Sequence, residues 1–188
     1  QTIRKRLRMK CKKFKLTVNR KYINQALLWT IFLFICLIIL KIITTYLKDS
    51  GYGLVVNKTT SLSQVAWWVN YNKRSNFQTG DYFVFYAPND KMLTDGESTP
   101  VLKMVKGVSG DEIHFIKKSV YLDNKKIGWL VEETSKGHKL IPIESQVIQK
   151  GCYFAWTPSE WSYDSRYKDI GLVCESQNRI IGSATPLF

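Results

Sequence analysis

The longest apolar run of the chain lies near its N-terminus. Residues 26–40 carry no charged side chain, and residues 42–47 continue the run beyond the single Lys41. A helix over these residues would rise about 33 Å, which matches the roughly 30 Å hydrocarbon core of a bilayer. The run is longer than the apolar region of a typical signal peptide, and no small-x-small cleavage site follows it. The pattern therefore predicts a retained transmembrane helix over residues 26–47.

Beyond a short linker at residues 48–53, the apolar positions fall into short runs separated by Gly, Pro, Asn and Asp. This pattern is typical of β-strands joined by turns. Strands are predicted at residues 54–56, 81–87, 101–108, 112–116, 119–122, 151–156 and 179–184, with polar loops at 89–100 and 131–139. Residues 63–70 fit a helical turn and a strand equally well. The segment 54–188 is therefore expected to form one mostly β domain with little helix.

The charge is unevenly distributed along the chain. The formal net charge is +13, but residues 1–48 hold 12 Lys or Arg and no acidic residue, which leaves 16 basic and 15 acidic residues in 49–188. A nucleic-acid-binding domain would instead carry its basic residues over a folded surface. The basic tail at residues 1–25 is better explained as a topogenic cluster facing lipid. It predicts a single-pass protein of the bacterial inner membrane, with a cytoplasmic N-terminus and a periplasmic domain.

The four cysteines divide by this topology. Cys11 lies in the predicted cytoplasmic tail and Cys36 in the membrane, so neither is expected in a structural disulfide. Cys152 and Cys174 lie in the exported domain, where an oxidising compartment would allow them to bond. Two buried free thiols are the alternative. No Cys/His spacing indicates zinc.

Lys103 is the candidate catalytic base. Cleavage of a peptide bond by a hydroxyl nucleophile needs a base, and the domain's two histidines, His114 and His138, have no evident partners. A lysine replaces histidine when burial favours its neutral amine. Lys103 lies within the apolar run 101–105, whereas Lys106 is expected on the opposite strand face. The alternative is an ordinary Lys whose amine reaches water from a sheet edge.

Several segments resemble the signal peptidase I family, in the family's order. Residues 102–111 (LKMVKGVSGD) are similar to the segment around its catalytic lysine, and the spacing to the following Gly selects Lys103. Residues 162–167 (SYDSRY) resemble its Ser-x-Asp-Ser-Arg-Tyr box. Gly80-Asp81 at the head of a strand and the closing strand 179–184 are further likenesses. The lysine and Asp-Ser-Arg-Tyr segments are specific in combination, whereas either alone would be weak.

The nucleophile segment resembles the conjugative-transfer, TraF-type branch of this family. Residues 57–63 (NKTTSLS) follow its Asn-x-Thr-x-Ser-Leu/Met-Pro pattern, with Ser61 at the nucleophile and Ser63 in place of Pro. Val65 and Ser109 also depart from the family pattern. Taken alone, Ser61 could equally cap a polar turn. Its position ahead of the lysine segment favours catalysis.

The resemblance implies an antiparallel β-barrel or sheet domain of the signal peptidase type, with a Ser-Lys dyad and no metal or organic cofactor. Ser61 would attack the scissile carbonyl, and Lys103 would accept its proton. The other implied roles are an oxyanion hole made by the Ser61 backbone N–H and the Thr59 hydroxyl, a lysine-orienting hydroxyl on Ser162, and a structural salt bridge between Asp164 and Arg166.

The function implied is endoproteolysis of a membrane-associated precursor. The expected substrate is a pilin or another exported protein of a conjugation (type IV secretion) system. Attack of an amine on the acyl-enzyme would extend the reaction to cyclisation of the pilin. One alternative is a general signal peptidase that acts on many secretory precursors. The other is a catalytically silent scaffold of the conjugation apparatus.

Overall fold

The computed structural model describes residues 20–57, 61–88, 99–134 and 137–187, with side chains from residue 23 onward. The chain divides into two compact units, residues 1–45 and 46–188. Within the described residues one α-helix is present, α1, over Arg20–Asp49. Its segment Ile23–Asp49 is long and apolar enough to cross a membrane. The helix is therefore compatible with a single-pass anchor, and it extends beyond the predicted span of 26–47 at both ends.

Eleven strands make up the described part of the second unit, together with a 3-10 helix at Glu175–Gln177. The strands are β1 (Tyr52–Val56), β2 (Ala66–Asn70), β3 (Tyr82–Tyr86), β4 (Pro100–Gly107), β5 (Glu112–Ile116), β6 (Ser119–Leu122), β7 (Lys125–Trp129), β8 (Gln146–Val147), β9 (Cys152–Trp156), β10 (Val173–Cys174) and β11 (Ile180–Pro186). The predicted mostly β fold with one N-terminal apolar helix is confirmed.

The strands form two sheets. The larger has seven strands in the order β1-β2-β11-β3-β4-β9-β10, and the smaller has four in the order β7-β6-β5-β8. Every pairing in both sheets is antiparallel. The last strand in the chain, β11, lies between β2 and β3 and joins the N-terminal hairpin to the rest of the larger sheet.

Both faces of the larger sheet are buried at β3. In β3, Phe83 and Phe85 belong to one apolar cluster, while Val84 between them belongs to another. Such alternation is what a strand with both faces covered requires. A further cluster joins the two sheets, because it includes Ile113 of β5 together with Phe154 of β9. The candidate lysine strand, β4, lies between β3 and β9 at the centre of this packing.

Where the pattern was ambiguous or weak, the structure differs from the prediction. The undecided segment 63–70 contains β2, with Trp67 and Val69 fully buried. The strands β7, β8 and β10 were not predicted. The sequence of β7, KKIGW, places two Lys and a Gly among its five residues, of which three are exposed and two half-buried. No apolar alternation therefore marks it. The predicted linker 48–53 is shorter, because the helix ends at Asp49 and β1 begins at Tyr52.

Cys152 and Cys174 are joined by a disulfide in the structure. They are directly opposed in the antiparallel pair formed by β9 and β10. The bond therefore fastens the outermost strand of the larger sheet to its neighbour. Cys36 is a free cysteine on α1, and Cys11 lies outside the described residues.

Candidate active site

Lys103 occupies a buried position in the middle of β4. It pairs with Phe83 of β3, and its side chain is only 6% exposed. Burial lowers the pKa of the amine from 10.5 to about 8, because a charged ammonium is poorly solvated there. The carboxylate of Asp164 raises this pKa and the guanidinium of Arg166 lowers it, both to a smaller extent than burial. The sequence prediction that Lys103 is a buried strand lysine is thus confirmed.

Ser162 is the hydrogen-bond partner of this amine. The Lys103 Nζ donates to the Ser162 Oγ at 2.8 Å, and the serine is itself buried. The two residues are 59 positions apart in the chain, so the contact depends on the tertiary fold. The predicted hydrogen bond between Ser162 and the lysine amine is therefore present, and the orienting role of Ser162 stays a prediction.

A buried ion pair holds the loop that carries Ser162. The Arg166 guanidinium donates to both carboxylate oxygens of Asp164, through Nε at 2.8 Å and Nη2 at 2.9 Å. It also donates to the backbone carbonyls of Trp129, Ser159 and Ser162 at 2.8–3.1 Å. The side chains of the pair are 1% and 0% exposed. Arg166 thereby ties the loop 159–166 to the end of β7, in the smaller sheet.

Ser165 makes a second attachment that the sequence did not reveal. Its backbone N–H donates to the Ala155 carbonyl at 2.9 Å, and its Oγ accepts the Ala155 N–H at 3.0 Å. Ala155 lies in β9, which pairs with β4 through Val105. The loop is therefore fixed against the strand next to the one that carries Lys103. Nothing in the sequence distinguished this serine from an ordinary turn residue, although it lies within the SYDSRY segment.

Ser61 lies in the turn that joins β1 to β2, and its side chain is half-buried. The next residue, Leu62, is buried in the cluster that also contains Leu102, the residue before Lys103. The Asn57 side-chain amide donates to the carbonyls of Leu62 and Gln64 at 3.3 and 3.4 Å, which shapes this turn. The cluster thus places the Ser61 turn on the same face of the larger sheet as Leu102 of β4.

Thr59, the predicted oxyanion-hole hydroxyl, lies outside the described residues. Its role and the Ser61–Lys103 dyad remain predictions. Lys106 does not share the position of Lys103, because its Nζ lies over the Trp156 ring, 4.8 Å from the centroid. His114 stacks against Tyr121 at 5.2 Å, and His138 is exposed. Neither histidine is among the described partners of Lys103.

This arrangement provides a base of the kind that hydrolysis at neutral pH requires. An amine with a pKa of about 8 is neutral in about one tenth of the molecules at pH 7, whereas an exposed Lys is almost entirely protonated. The hydrogen bond to Ser162 fixes the direction of the amine. Both the lowered pKa and the hydrogen bond come from the fold around Lys103.

Comparison with known proteins places the chain in a family. One solved structure similar to the chain is a signal peptidase I from Enterococcus faecalis, at 18% identity and a TM-score of 0.36, covering 58% of this chain and 97% of that one. No curated protein matches the chain. The profile of the family described as "Signal peptidase, peptidase S26" matches residues 11–188. Because that match spans nearly the whole sequence, the chain belongs to the peptidase S26 family of signal peptidases.

Proposed function

We propose that the protein is a membrane-anchored serine endopeptidase that uses Ser61 as nucleophile and Lys103 as general base. The observation that carries this proposal is the buried Lys103 amine, with its pKa lowered to about 8 and its hydrogen bond to Ser162. A lysine without a catalytic task is rarely buried in this way, because burial of an unpaired charge is costly. Membership of the peptidase S26 family supports the same reaction class.

In the proposed mechanism, the neutral Lys103 amine takes the proton of the Ser61 hydroxyl as its oxygen attacks the scissile carbonyl. The Ser61 backbone N–H and the Thr59 hydroxyl stabilise the oxyanion of the tetrahedral intermediate. The Lys103 ammonium then gives its proton to the leaving amine, and an acyl-enzyme remains on Ser61. Water activated by Lys103 releases the acyl group. An incoming amine would instead form a new peptide bond and cyclise the product.

For the substrate, we propose a membrane-associated precursor, namely a pilin or another exported protein of a conjugation system. The support is the segment 57–63, whose pattern resembles that of the TraF-type branch apart from Ser63, together with an apolar helix suited to a single-pass anchor. The general signal peptidase is a second candidate, favoured by the description of the matching family. The two candidates share the site and differ only in substrate range.

A serine-directed acylating probe tests the enzyme against the silent scaffold. We expect covalent labelling of the full-length wild-type protein in membranes, and no labelling of the Ser61→Ala variant, because only an activated hydroxyl reacts quickly. Ser63→Ala is the matched control and should label normally. Mass spectrometry of the labelled peptide locates the adduct. An unlabelled wild-type protein that is folded and inserted would favour the scaffold.

Cells that produce only the Ser61→Ala variant distinguish the two substrate ranges. For a dedicated enzyme, we expect the pilin precursor to accumulate while the other exported proteins mature normally. Quantitative proteomics of precursor and mature N-termini measures both. General accumulation of uncleaved secretory precursors would show that the protein is a general signal peptidase.

The pH dependence of cleavage follows from Lys103. Its ammonium form cannot accept the serine proton, so kcat/KM should rise about tenfold per pH unit and level off above a pH of about 8. Cleavage of a synthetic peptide between pH 6 and 10 measures the profile. The Lys106→Ala variant should keep the same midpoint. A rate that is constant between pH 6 and 8 would contradict the assignment of Lys103 as the base.

A further inference from the structure

A cavity of about 240 Å³ lies beside the loop that carries Ser162. Its aromatic wall is formed by Trp161, Tyr163 and Tyr167, and Leu140 adds an aliphatic contact. Two carboxylate side chains, Glu133 and Glu160, also line it, together with Val131 and Thr134. This volume is large enough for one long side chain but too small for a folded segment.

The aromatic wall is partly preorganised. The rings of Tyr163 and Tyr167 stack with their centroids 6.1 Å apart. The Tyr163 hydroxyl donates to the Asp169 carboxylate, and the Tyr167 hydroxyl accepts the Val131 N–H, both at 3.0 Å. These bonds fix both ring planes. Trp161, in contrast, is 74% exposed, so its ring is open to contact by an incoming group.

The lining has the chemistry that recognises a cation on an apolar stem. Aromatic faces attract a guanidinium or an ammonium group, and carboxylates add direct ionic contacts. Within the described part of the chain, neither Glu133 nor Glu160 forms a salt bridge, whereas the neighbouring Glu132 is paired with Lys118. Lys139 lies opposite Glu133 in an isolated β-bridge, but no salt bridge between their side chains is described.

The position of the cavity relates it to the proposed site of cleavage. Trp161 and Tyr163, which line the cavity, directly flank Ser162, whose Oγ accepts the hydrogen bond from the Lys103 amine. In the proposed mechanism this amine takes the serine proton and delivers it to the leaving nitrogen. The cavity and the proposed base are therefore linked through one short loop.

We propose that this cavity binds an Arg or Lys side chain of the substrate, located near the scissile bond. The inference rests on the proposed function, because it takes Lys103 as the base at the site of cleavage. It adds a specificity site to that function. The cavity selects for a basic residue near the cleavage site and does not take part in bond cleavage.

Binding to the full-length Ser61→Ala protein in detergent tests this site without requiring catalysis. The probes are synthetic peptides of Ala, Ser and Gly that carry a single Arg at successive positions, each matched by a norleucine peptide. We expect the best Arg peptide to bind about tenfold more tightly than its norleucine counterpart, as measured by isothermal titration calorimetry. The double change Glu133→Gln and Glu160→Gln, or Trp161→Ala, should remove this preference.

Two further variants separate recognition from general damage. Trp161→Phe keeps an aromatic face and should retain part of the preference, whereas Glu132→Gln changes a neighbouring carboxylate outside the cavity and should retain all of it. Equal affinity for Arg and norleucine peptides at every position would overturn the proposal, and so would a preference that survives the cavity variants. Failure of the wild-type protein to label at Ser61 would instead count against the dyad, and it would leave the binding result unchanged.

Discussion

Ser61→Ala and Lys103→Ala are expected to abolish precursor cleavage, while Lys106→Ala remains active. The loss should be at least about 1,000-fold in kcat/KM for either of the first two, because nucleophile and base act as one unit. Lys106 offers a control from the same strand: it carries the same charge three residues away, and its amine lies over the Trp156 ring. Processing of a purified precursor in proteoliposomes measures the three rates.

Stability measurements distinguish a catalytic Lys103 from a structural one. Burial of its ammonium disfavours the folded state, and this cost is fully present below the folded pKa of about 8. The cost decreases as the pH rises from 8 to the unfolded pKa of 10.5 and is absent at higher pH. Lys103→Met should therefore raise the free energy of unfolding by up to about 3 kcal/mol at pH 7, while it abolishes cleavage. An inactive but more stable variant fits a catalytic role. Retained cleavage in Lys103→Met, or in folded and inserted Ser61→Ala, would disprove the dyad.

Arg166→Met is expected to be the most destabilising single change described here, by about 3–5 kcal/mol. It leaves the carboxylate of Asp164 buried without its cation, and it removes the donors to the carbonyls of Trp129, Ser159 and Ser162. Cleavage should also fall, because Ser162 loses the support that directs it to Lys103. Urea unfolding of the detergent-solubilised protein, followed by tryptophan fluorescence, measures the loss of stability.

The matched control for this ion pair is Lys168→Met. It breaks the exposed pair between Lys168 and Glu144, whose side chains are 51% and 85% accessible, and it should cost less than about 1 kcal/mol. Replacing both members of the buried pair with apolar residues should recover part of the loss, since no uncompensated charge then remains. Similar effects for Arg166→Met and Lys168→Met would show that the buried network does not stabilise the loop.

The residues around Lys103 show which parts of the site could be predicted. An apolar run on both sides of a lysine indicates a buried strand position, and the three-residue spacing separates it from Lys106. Both expectations depend only on local periodicity. The pairing of Lys103 with Ser162 depended on the family resemblance, because no local rule connects residues 59 positions apart.

The attachments of the loop 159–166 could not be predicted. Arg166 bonds to the carbonyls of Trp129, Ser159 and Ser162, and every residue offers the same carbonyl, so the sequence holds no sign of which ones are used. The strand β7 was missed for a related reason. Its two Lys and its Gly are poor strand formers, so its sequence alone does not favour a strand. Pairing with β6 stabilises the extended conformation.

The position of β11 has a consequence for when the protein can become active. Synthesis proceeds from the N-terminus, so Ile180–Pro186 is made after all the other strands. The strands β1 and β2 flank the Ser61 turn, and β4 carries Lys103. Until β11 is in place, no described strand of the larger sheet connects β1 and β2 to β3 and β4. Ser61 and Lys103, the proposed nucleophile and base, therefore belong to two separately paired groups of strands. We expect a nascent chain to be unable to cut itself or its neighbours until β11 inserts between them.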